Sequence, residues 1–247
     1  MKPFETLIAP HQDALRGYVH RMVGHRADAE DVFQTVLVKA LERQKSLRSD
    51  ASFRSWIFQI ATRTCIDHLR RQTRWRPFSQ RYIEDECHAT PPKREMVFRA
   101  TQEAEFAYDV REHVAFCFAC VGRSLAPERQ AAIVLREILG FTNQEAADIL
   151  EWTEPTLRRR LAEGRREMEQ TFDGLCSLIN KDGVCRQCAS FRNVSAKKGP
   201  KLPVLSPWEA RTTIAREAHF LDGVSEGLHR VLFELIQALE ARDANDS

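Results

Sequence analysis

Residues 143–168 constrain the fold most, because their apolar residues recur at helical spacing on both sides of a tight corner. Ala146 and Leu150 mark the apolar edge of a short first helix. Thr153 is suited to cap a second helix, with Pro155 in its first turn, where a missing N–H costs little. One seam of the second helix is formed by Leu157, Leu161, Gly164 and Met168. We therefore predict two helices joined by a sharp turn, the helix-turn-helix plan for reading the DNA major groove.

The outer face of the second helix is basic. It carries Arg158, Arg159, Arg160, Arg165 and Arg166. Acidic residues on the same helix, including Glu163 one turn after the arginine run, dilute this charge, so a helical hairpin with a solvated charged face is the alternative. Glu151 stands at the corner, where glycine is usual because the backbone often needs positive φ there.

The composition predicts a globular, helix-rich chain, with 43% hydrophobic and 29% charged residues among 247. The net charge of +2 is too small to indicate a nucleic-acid partner, so any basic surface must be local. No apolar run approaches the roughly 20 residues of a membrane helix, and the first residues lack the apolar core of a signal peptide. We expect a cytoplasmic protein whose seven cysteines are thiols or metal ligands rather than disulfides.

Three amphipathic helices are predicted before residue 77, over residues 3–24, residues 28–43 and from about Phe53. We expect His11 to be a packed histidine. Acidic residues crowd the first turn of the second helix, where the macrodipole favours negative charge. The core-facing residues predicted for the second and third helices are Val32, Phe33, Val36, Ala40, Leu41, Phe53, Trp56, Ile57, Ile60 and Ala61.

The far end of the third helix is basic and includes an aromatic residue. Its members are Arg63, Arg70, Arg71, Arg74, Trp75 and Arg76. Such residues together suit melted or single-stranded nucleic acid, because bases stack on them. The alternative is a solvated helix end whose cations complement the dipole. Residues 77–108 carry an acidic patch and the Pro91-Pro92 pair, which indicates a linker before helices resume.

Two blocks together resemble the extracytoplasmic-function group of bacterial sigma factors. The stretches DAEDVFQTVLVKALE and FRSWIFQIATRTCIDHLRRQ are similar to their region 2, and residues 125–168 are similar to their region 4. The resemblance covers residues 1 to about 172 and implies an all-α protein that binds core RNA polymerase and promoter DNA. It implies region 2 over 1–76, a linker over 77–108, region 4 over 109–172 and an extension over 173–247.

The resemblance also implies roles for individual residues. On the polymerase-binding helix lie Asp28, Asp31, Phe33 and Gln34. On the surface for the −10 element lie Ser49–Ser52, Trp56, Arg63, Asp67, Arg70 and Arg71. On the recognition helix for the −35 element lie Thr156, Arg158, Arg159 and Arg160. Three residues depart from the family pattern. Arg63 stands where the family often has Asn, so a different choice of −10 base is expected. Glu163 replaces a usual basic residue, so a weaker or shifted −35 footprint is expected, and Glu151 replaces the usual glycine.

Cysteine spacing in the extension is typical of a thiolate metal site. Cys176 precedes the pair Cys185-x-x-Cys188, and a second pair, Cys117-x-x-Cys120, lies just before region 4. We hypothesise that these five residues form one site, with Zn²⁺ as first choice and a thiol–disulfide switch as second. The alternative is that Cys117 and Cys120 are small buried hydrophobes.

Two further helices are expected in the extension, near 207–221 and 224–242, and the second has a clean apolar stripe. This stripe favours either packing on the preceding helix or region 4, or a built-in regulator in place of a separate anti-sigma protein. The sequence leaves open whether such an anti-sigma protein exists. We find no catalytic constellation and predict a transcription factor rather than an enzyme. The rival functions are a polymerase-independent helix-turn-helix regulator and a metal- or redox-sensing interaction protein.

Overall fold

The computed structural model describes residues 2–72, 117–175 and 207–217, with a few isolated positions near the C-terminus. All regular secondary structure in these ranges is helical, which confirms the all-α prediction. The chain divides into two compact units. The first joins residues 1–72 with 126–164, and the second joins residues 73–125 with 165–247.

The N-terminal part of the first unit is a bundle of helices. They are α1 (Phe4–Ile8), α2 (Gln12–Val23), α3 (Arg26–Glu42) and α4 (Phe53–Arg70). The predicted first helix is interrupted by a 3₁₀ turn at Ala9–His11, because Pro10 has no N–H to donate. His11 stacks on Phe53 with 5.9 Å between ring centroids, as expected of a packed histidine.

Two polar pairs lie inside this bundle. The Tyr18 and Thr62 hydroxyls lie 2.8 Å apart in the core between α2 and α4. His20 is buried on α2 and its Nε2 lies 3.0 Å from a carboxylate oxygen of Glu30 on α3. Burial lowers the pKa of His20 even though Glu30 opposes the shift. These pairings fix the register of α2 against its two neighbours.

Two predicted core residues of the bundle are only partly buried. Leu41 is 49% exposed, because it lies on the solvent side of α3, one residue from its end. Trp56 is half-buried, and its indole Nε1 donates to Ser46 Oγ at 3.2 Å. The other predicted core residues of α3 and α4 are buried.

The rest of the first unit is a turn-rich helical segment. It contains α5 (Pro127–Ile133), a wider π turn (Val134–Ile138), α6 (Asn143–Leu150) and the N-terminal half of α7 (Glu154–Leu175). Gly140 has φ +68°, which ends the helical run as predicted. The α7 seam is buried, and a Cβ on Gly164 would lie 2.9 Å from Ile133 Cδ1, so any larger residue there would displace the end of the Ile133 side chain.

The second unit contains helical residues 117–122, the C-terminal half of α7 and α8 (Pro207–Glu217). Phe118 packs against Phe172 of α7 and Trp208 of α8, with centroid distances of 6.0 and 5.7 Å. The first extension helix is therefore present and docked on aromatic rings of predicted region 4. The second predicted helix and Cys176, Cys185 and Cys188 lie outside the described residues, as do Arg74, Trp75 and Arg76.

Candidate nucleic-acid interface

The helix-turn-helix begins with a strong start signal. Thr142 Oγ1 accepts from the Glu145 N–H at 3.2 Å, and the Glu145 carboxylate accepts from the Thr142 N–H at 2.8 Å. This reciprocal capping box lowers the pKa of Glu145, chiefly through the bond from the Thr142 backbone. The sequence signal, Thr followed three residues later by Glu, is readable, but our sequence reasoning missed it.

Glu151 occupies the corner in a left-handed conformation, with φ 58° and ψ 36°. The Trp152 N–H donates to the Ala147 carbonyl at 2.9 Å, the bond that closes this type of helix end. Among the described non-glycine residues, Glu151 alone has positive φ. The backbone therefore takes the conformation that glycine normally supplies, at a cost of about 1 kcal/mol for a residue with a Cβ.

The predicted reading residues lie together at the N-terminal end of α7. Thr153 caps the helix, and its hydroxyl lies 2.9 Å from that of Thr156. Side chains of Arg158 and Arg159 are 60% and 62% exposed, whereas that of Arg160 is 37% exposed. These residues form one basic surface on a capped helix end.

Carboxylates hold the arginines of this surface. Arg158 pairs with Glu154 one turn earlier, at 2.8 Å. Glu163 lies within 3.5 Å of Arg129, Arg159 and Arg160, so one carboxylate meets three guanidinium groups. The glutamate that departs from the family pattern therefore orients two of the predicted reading arginines.

Most of the predicted −10 residues lie on α4, and two of them contact acidic residues of the helix-turn-helix segment. Ser49–Ser52 form a short 3₁₀ turn just before α4, and Arg71 directly follows its last residue. Arg63 is ion-paired with Glu151, and Arg70 Nη2 lies 2.6 Å from a carboxylate oxygen of Glu128. Asp67 and Arg71 are exposed. Gln59, which the sequence reasoning did not select, lies one turn before Arg63 on this face and contacts Glu151 at 3.3 Å. Arg54, also not selected, lies on another side of α4 and contacts Glu145 at 3.4 Å.

The predicted polymerase-binding residues of α3 separate into two groups. Asp31 and Gln34 are exposed, whereas Phe33 is 1% exposed and has the Arg16 guanidinium 4.8 Å from its ring centroid. Asp28, in the first turn, accepts from the side chain of Gln72 at 3.3 Å. Phe33 therefore packs inside the bundle, and Asp28 ties the start of α3 to the end of α4.

Val38 and Leu41 extend the exposed face of α3. They are 54% and 49% exposed, and with Asp31 and Gln34 they follow one another at steps of three and four. This spacing places all four on one helical stripe. Its apolar members were not found from the sequence, because Leu41 fits the core periodicity equally well.

The cysteines of the described residues are in helices. Cys65 is a buried free thiol in the α4 core, and burial raises its pKa. Cys120 is buried and Cys117 is partly exposed, three residues apart on one helical segment. Within the described ranges no group of three His, Cys, Asp or Glu residues is arranged to hold a metal ion. The same ranges contain no helix that is both long and apolar enough to cross a membrane.

Comparison with known proteins identifies both modules. The family model for Sigma-70 region 2 matches residues 7–75, and that for Sigma-70, region 4 matches residues 117–168. The ECF RNA polymerase sigma-E factor of Haemophilus influenzae is 26% identical over 174 residues, which cover 70% of this chain and 89% of that protein. The ECF RNA polymerase sigma factor SigG of Mycobacterium tuberculosis is 25% identical over 177 residues, 67% of this chain but 48% of that protein.

A solved structure is also similar. The sigma factor RpoE from Bartonella quintana, in complex with the anti-sigma factor NepR, aligns at 18% identity with a TM-score of 0.47. The alignment covers 70% of this chain and 98% of that one. Because the region 2 and region 4 matches occur once each and in that order, and sigma factors align across both, this chain belongs to the extracytoplasmic-function (ECF) group of sigma-70 family RNA polymerase sigma factors.

Proposed function

We propose that this chain directs promoter-specific transcription initiation with α3 on core RNA polymerase, α4 on the −10 element and α7 on the −35 element. Residues 1–76 and 109–172 would be the two functional regions, with 77–108 as the linker and 173–247 as the extension. The exposed arginine run on the capped end of α7, in a chain that also matches region 2, carries this proposal. We further propose that the protein acts in the cytoplasm and has no catalytic activity of its own.

The −35 element would be read as duplex by Thr156, Arg158, Arg159 and Arg160. An arginine that bonds both acceptors of a guanine discriminates against other bases by about 1–3 kcal/mol. Glu163 limits the number of positions that Arg159 and Arg160 can take, because it pairs with both. A surface built in this way favours base recognition over general attraction to phosphates.

The −10 element would be bound by the polar face of α4. Arg63, Arg70 and Arg71 supply cations for phosphates, Asp67 supplies an acceptor, and Trp56 offers the exposed part of its ring for stacking. Gln59 joins this set, because it lies one turn before Arg63 on the same face of the helix. The mixture of cations with an aromatic ring suits a strand that has left the duplex.

Core polymerase would bind the exposed stripe of α3. Two exposed polar side chains, Asp31 and Gln34, lie on the same stripe as the exposed apolar side chains of Val38 and Leu41. An exposed apolar pair beside polar residues is typical of a protein-binding surface. Phe33 supports this face from inside the bundle, and Asp28 fixes its first turn.

Reconstituted holoenzyme tests these roles together. Binding-site selection followed by run-off transcription should return one promoter class with separate −10 and −35 elements. Val38→Asp should reduce co-purification with core polymerase, whereas Gln170→Asp, at an exposed position of α7, should not. A chain that selects DNA without polymerase would instead be an independent regulator, and one that selects none would fit a sensing protein.

The extension would act as a regulator attached in cis, and a separate anti-sigma protein is an additional partner to test. We propose zinc for Cys117, Cys120, Cys176, Cys185 and Cys188. Cys117 and Cys120 fit such a site because two thiols one turn apart on a helix supply half of a tetrahedral set. Purified wild type should contain zinc that Cys185→Ser loses; metal-free wild type kept reduced would point to the thiol switch or to simple burial.

A further inference from the structure

The predicted −10 residue Trp56 belongs to a cluster of aromatic rings at the start of α4. Phe53, the first residue of α4, is 1% exposed and lies at the centre of this cluster. Its ring centroid is 5.7 Å from that of Trp56, which is one helical turn further along. Two rings reach Phe53 from the N-terminal segment, Phe4 of α1 and His11, each with its centroid 5.9 Å away. Phe53 therefore connects the N-terminal segment to Trp56.

His11 takes part in this cluster as an uncharged ring. Its plane is inclined by 23° to that of Phe53, so the two rings are stacked, whereas Phe4 meets Phe53 edge-on at 71°. Burial lowers the pKa of His11, and the positive charge of Arg54 lowers it further. The imidazole is therefore mostly neutral at about pH 7, and it stacks on Phe53 without the cost of desolvating a charge.

Hydrogen bonds hold the other end of the Trp56 side chain. The indole Nε1 donates to Ser46 Oγ at 3.2 Å, and that hydroxyl donates to the Arg43 carbonyl at 2.7 Å. The indole is thus fixed at its N–H by the turn that follows α3, and its ring contacts Phe53. A fixed ring is a better platform for a base, because stacking depends on the relative orientation of the two planes.

The N-terminal segment also reaches the predicted −10 turn, Ser49–Ser52. The Lys2 backbone N–H lies 3.4 and 3.3 Å from the two carboxylate oxygens of Asp50. Within this turn, Ser52 Oγ donates to the Ser49 carbonyl at 2.8 Å. The start of the chain and the predicted −10 surface are therefore adjacent, although 48 positions separate Lys2 from Asp50.

We propose that Phe4 and His11 are positioning residues for the −10 element, because through Phe53 they hold the Trp56 ring in the orientation that stacks on a base of the melted strand. The inference rests on the proposed function, since it takes Trp56 as part of the −10 surface. Neither Phe4 nor His11 has to contact DNA in this role. Both restrict the indole before DNA binds, which lowers the entropy cost of ordering it in the complex.

The first test measures −10 discrimination by reconstituted holoenzyme. The measured quantity is the ratio of its affinities for two promoter duplexes, both premelted over the −10 element, one with the selected −10 sequence and one with that sequence scrambled. His11→Ala should lower this ratio about fivefold, which is at the low end of what stacking on one base contributes, and Phe4→Ala should lower it as well. His11→Phe should restore the ratio, because a planar ring again covers Phe53. A wild-type ratio in His11→Ala would overturn the proposal.

A matched control separates positioning from stability. Met22→Ala also truncates a buried side chain of the bundle, but at the opposite end of α2 from His11. A general loosening of the bundle weakens binding to both duplexes together, so Met22→Ala should lower the stability and keep the wild-type ratio. If Met22→Ala and His11→Ala lower the ratio equally, the positioning role is refuted.

The second test asks whether His11 acts through Trp56. In a chain that already carries Trp56→Ala, the further change His11→Ala should leave the ratio as it is, because the ring that His11 positions is absent. Independent effects of the two substitutions, which multiply in the double variant, would contradict the proposal. A wild-type holoenzyme that does not distinguish the two duplexes would refute the proposed −10 function itself, and the inference would fail with it.

Discussion

The rings of Phe58 and Phe141 meet edge to face, with their centroids 5.0 Å apart and their planes at 65°. Phe58 lies in the middle of α4, and Phe141 lies between Gly140 and the capping box of α6. Both are almost completely buried. One aromatic pair therefore joins the N-terminal bundle to the helix-turn-helix segment within the first unit.

This pair predicts a measurable coupling. Phe58→Ala and Phe141→Ala should each lower the free energy of unfolding by about 3–5 kcal/mol, because each leaves a cavity. The double variant should lose about 0.5–1.5 kcal/mol less unfolding free energy than the two single variants lose together, because the contact between the rings is removed only once. Denaturant titration of the four proteins measures this; strictly additive costs would show that the rings do not interact energetically.

Because Glu151 has positive φ, we predict that its glycine variant is more stable than its alanine variant, the reverse of the usual order within helices. Glu151→Gly should be more stable than Glu151→Ala by about 1 kcal/mol, since both lose the carboxylate but only alanine is strained there. At Asp148, an exposed position of α6, the alanine variant should be more stable than the glycine variant by a similar amount, about 1 kcal/mol. Thermal or denaturant unfolding decides it, and the same order at both positions would contradict the prediction.

The contacts of Glu163 predict that replacing it raises the affinity for DNA but lowers the specificity for the −35 element. Glu163→Lys should release Arg159 and Arg160 and add a cation, so binding to unrelated duplex should strengthen and the ratio of specific to non-specific binding should fall. The slope of log affinity against log salt should steepen by about one phosphate contact. Salt-dependent binding by holoenzyme measures this, with Glu169→Lys as the control on the same helix. An unchanged ratio of specific to non-specific binding would show that Glu163 does not contribute to base recognition.

The capping box predicts an acid-sensitive helix start. The folded-state pKa of Glu145 is lowered from its ordinary value of 4.5, so the unfolded chain binds the proton more readily. Its stabilising contribution is present above pH 4.5 and is lost as pH falls through the lowered pKa. Unfolding followed between pH 6 and the acid range should show a shallower pH dependence for Glu145→Gln. Identical curves for the two proteins would mean that the cap does not titrate.

The helices and most core positions could be predicted from the sequence, because periodic apolar residues and local punctuation determine them. Pro127 at a helix start and Gly140 at a helix end are examples of such punctuation. The seam of α7 was predicted residue by residue, because each member recurs at helical spacing. Local chemistry determined these features, and no distant contact had to be known.

The covering of α4 could not be predicted in this way. Arg63 and Glu151 are separated by 88 positions, and nothing local to either residue identifies the other as its partner. Leu41 has the spacing of a core residue, but no element among the described residues packs over that side of α3, and it is 49% exposed. Glu163 was identified as a departure from the family, yet its position among three arginines depends on the fold around Arg129.

Arg211 of α8 is completely buried, with Nη2 3.0 Å from Asp173 and its guanidinium 4.6 Å from the Phe172 ring centroid. A shortened chain ending before Pro207 would therefore lose a structural cover of the second unit as well as the proposed regulator. It would bare the Phe118 and Phe172 rings that Trp208 and Arg211 cover, and such surfaces promote self-association. Point changes in α8 are thus a safer route than truncation for separating the influence of the extension on transcription from its contribution to solubility.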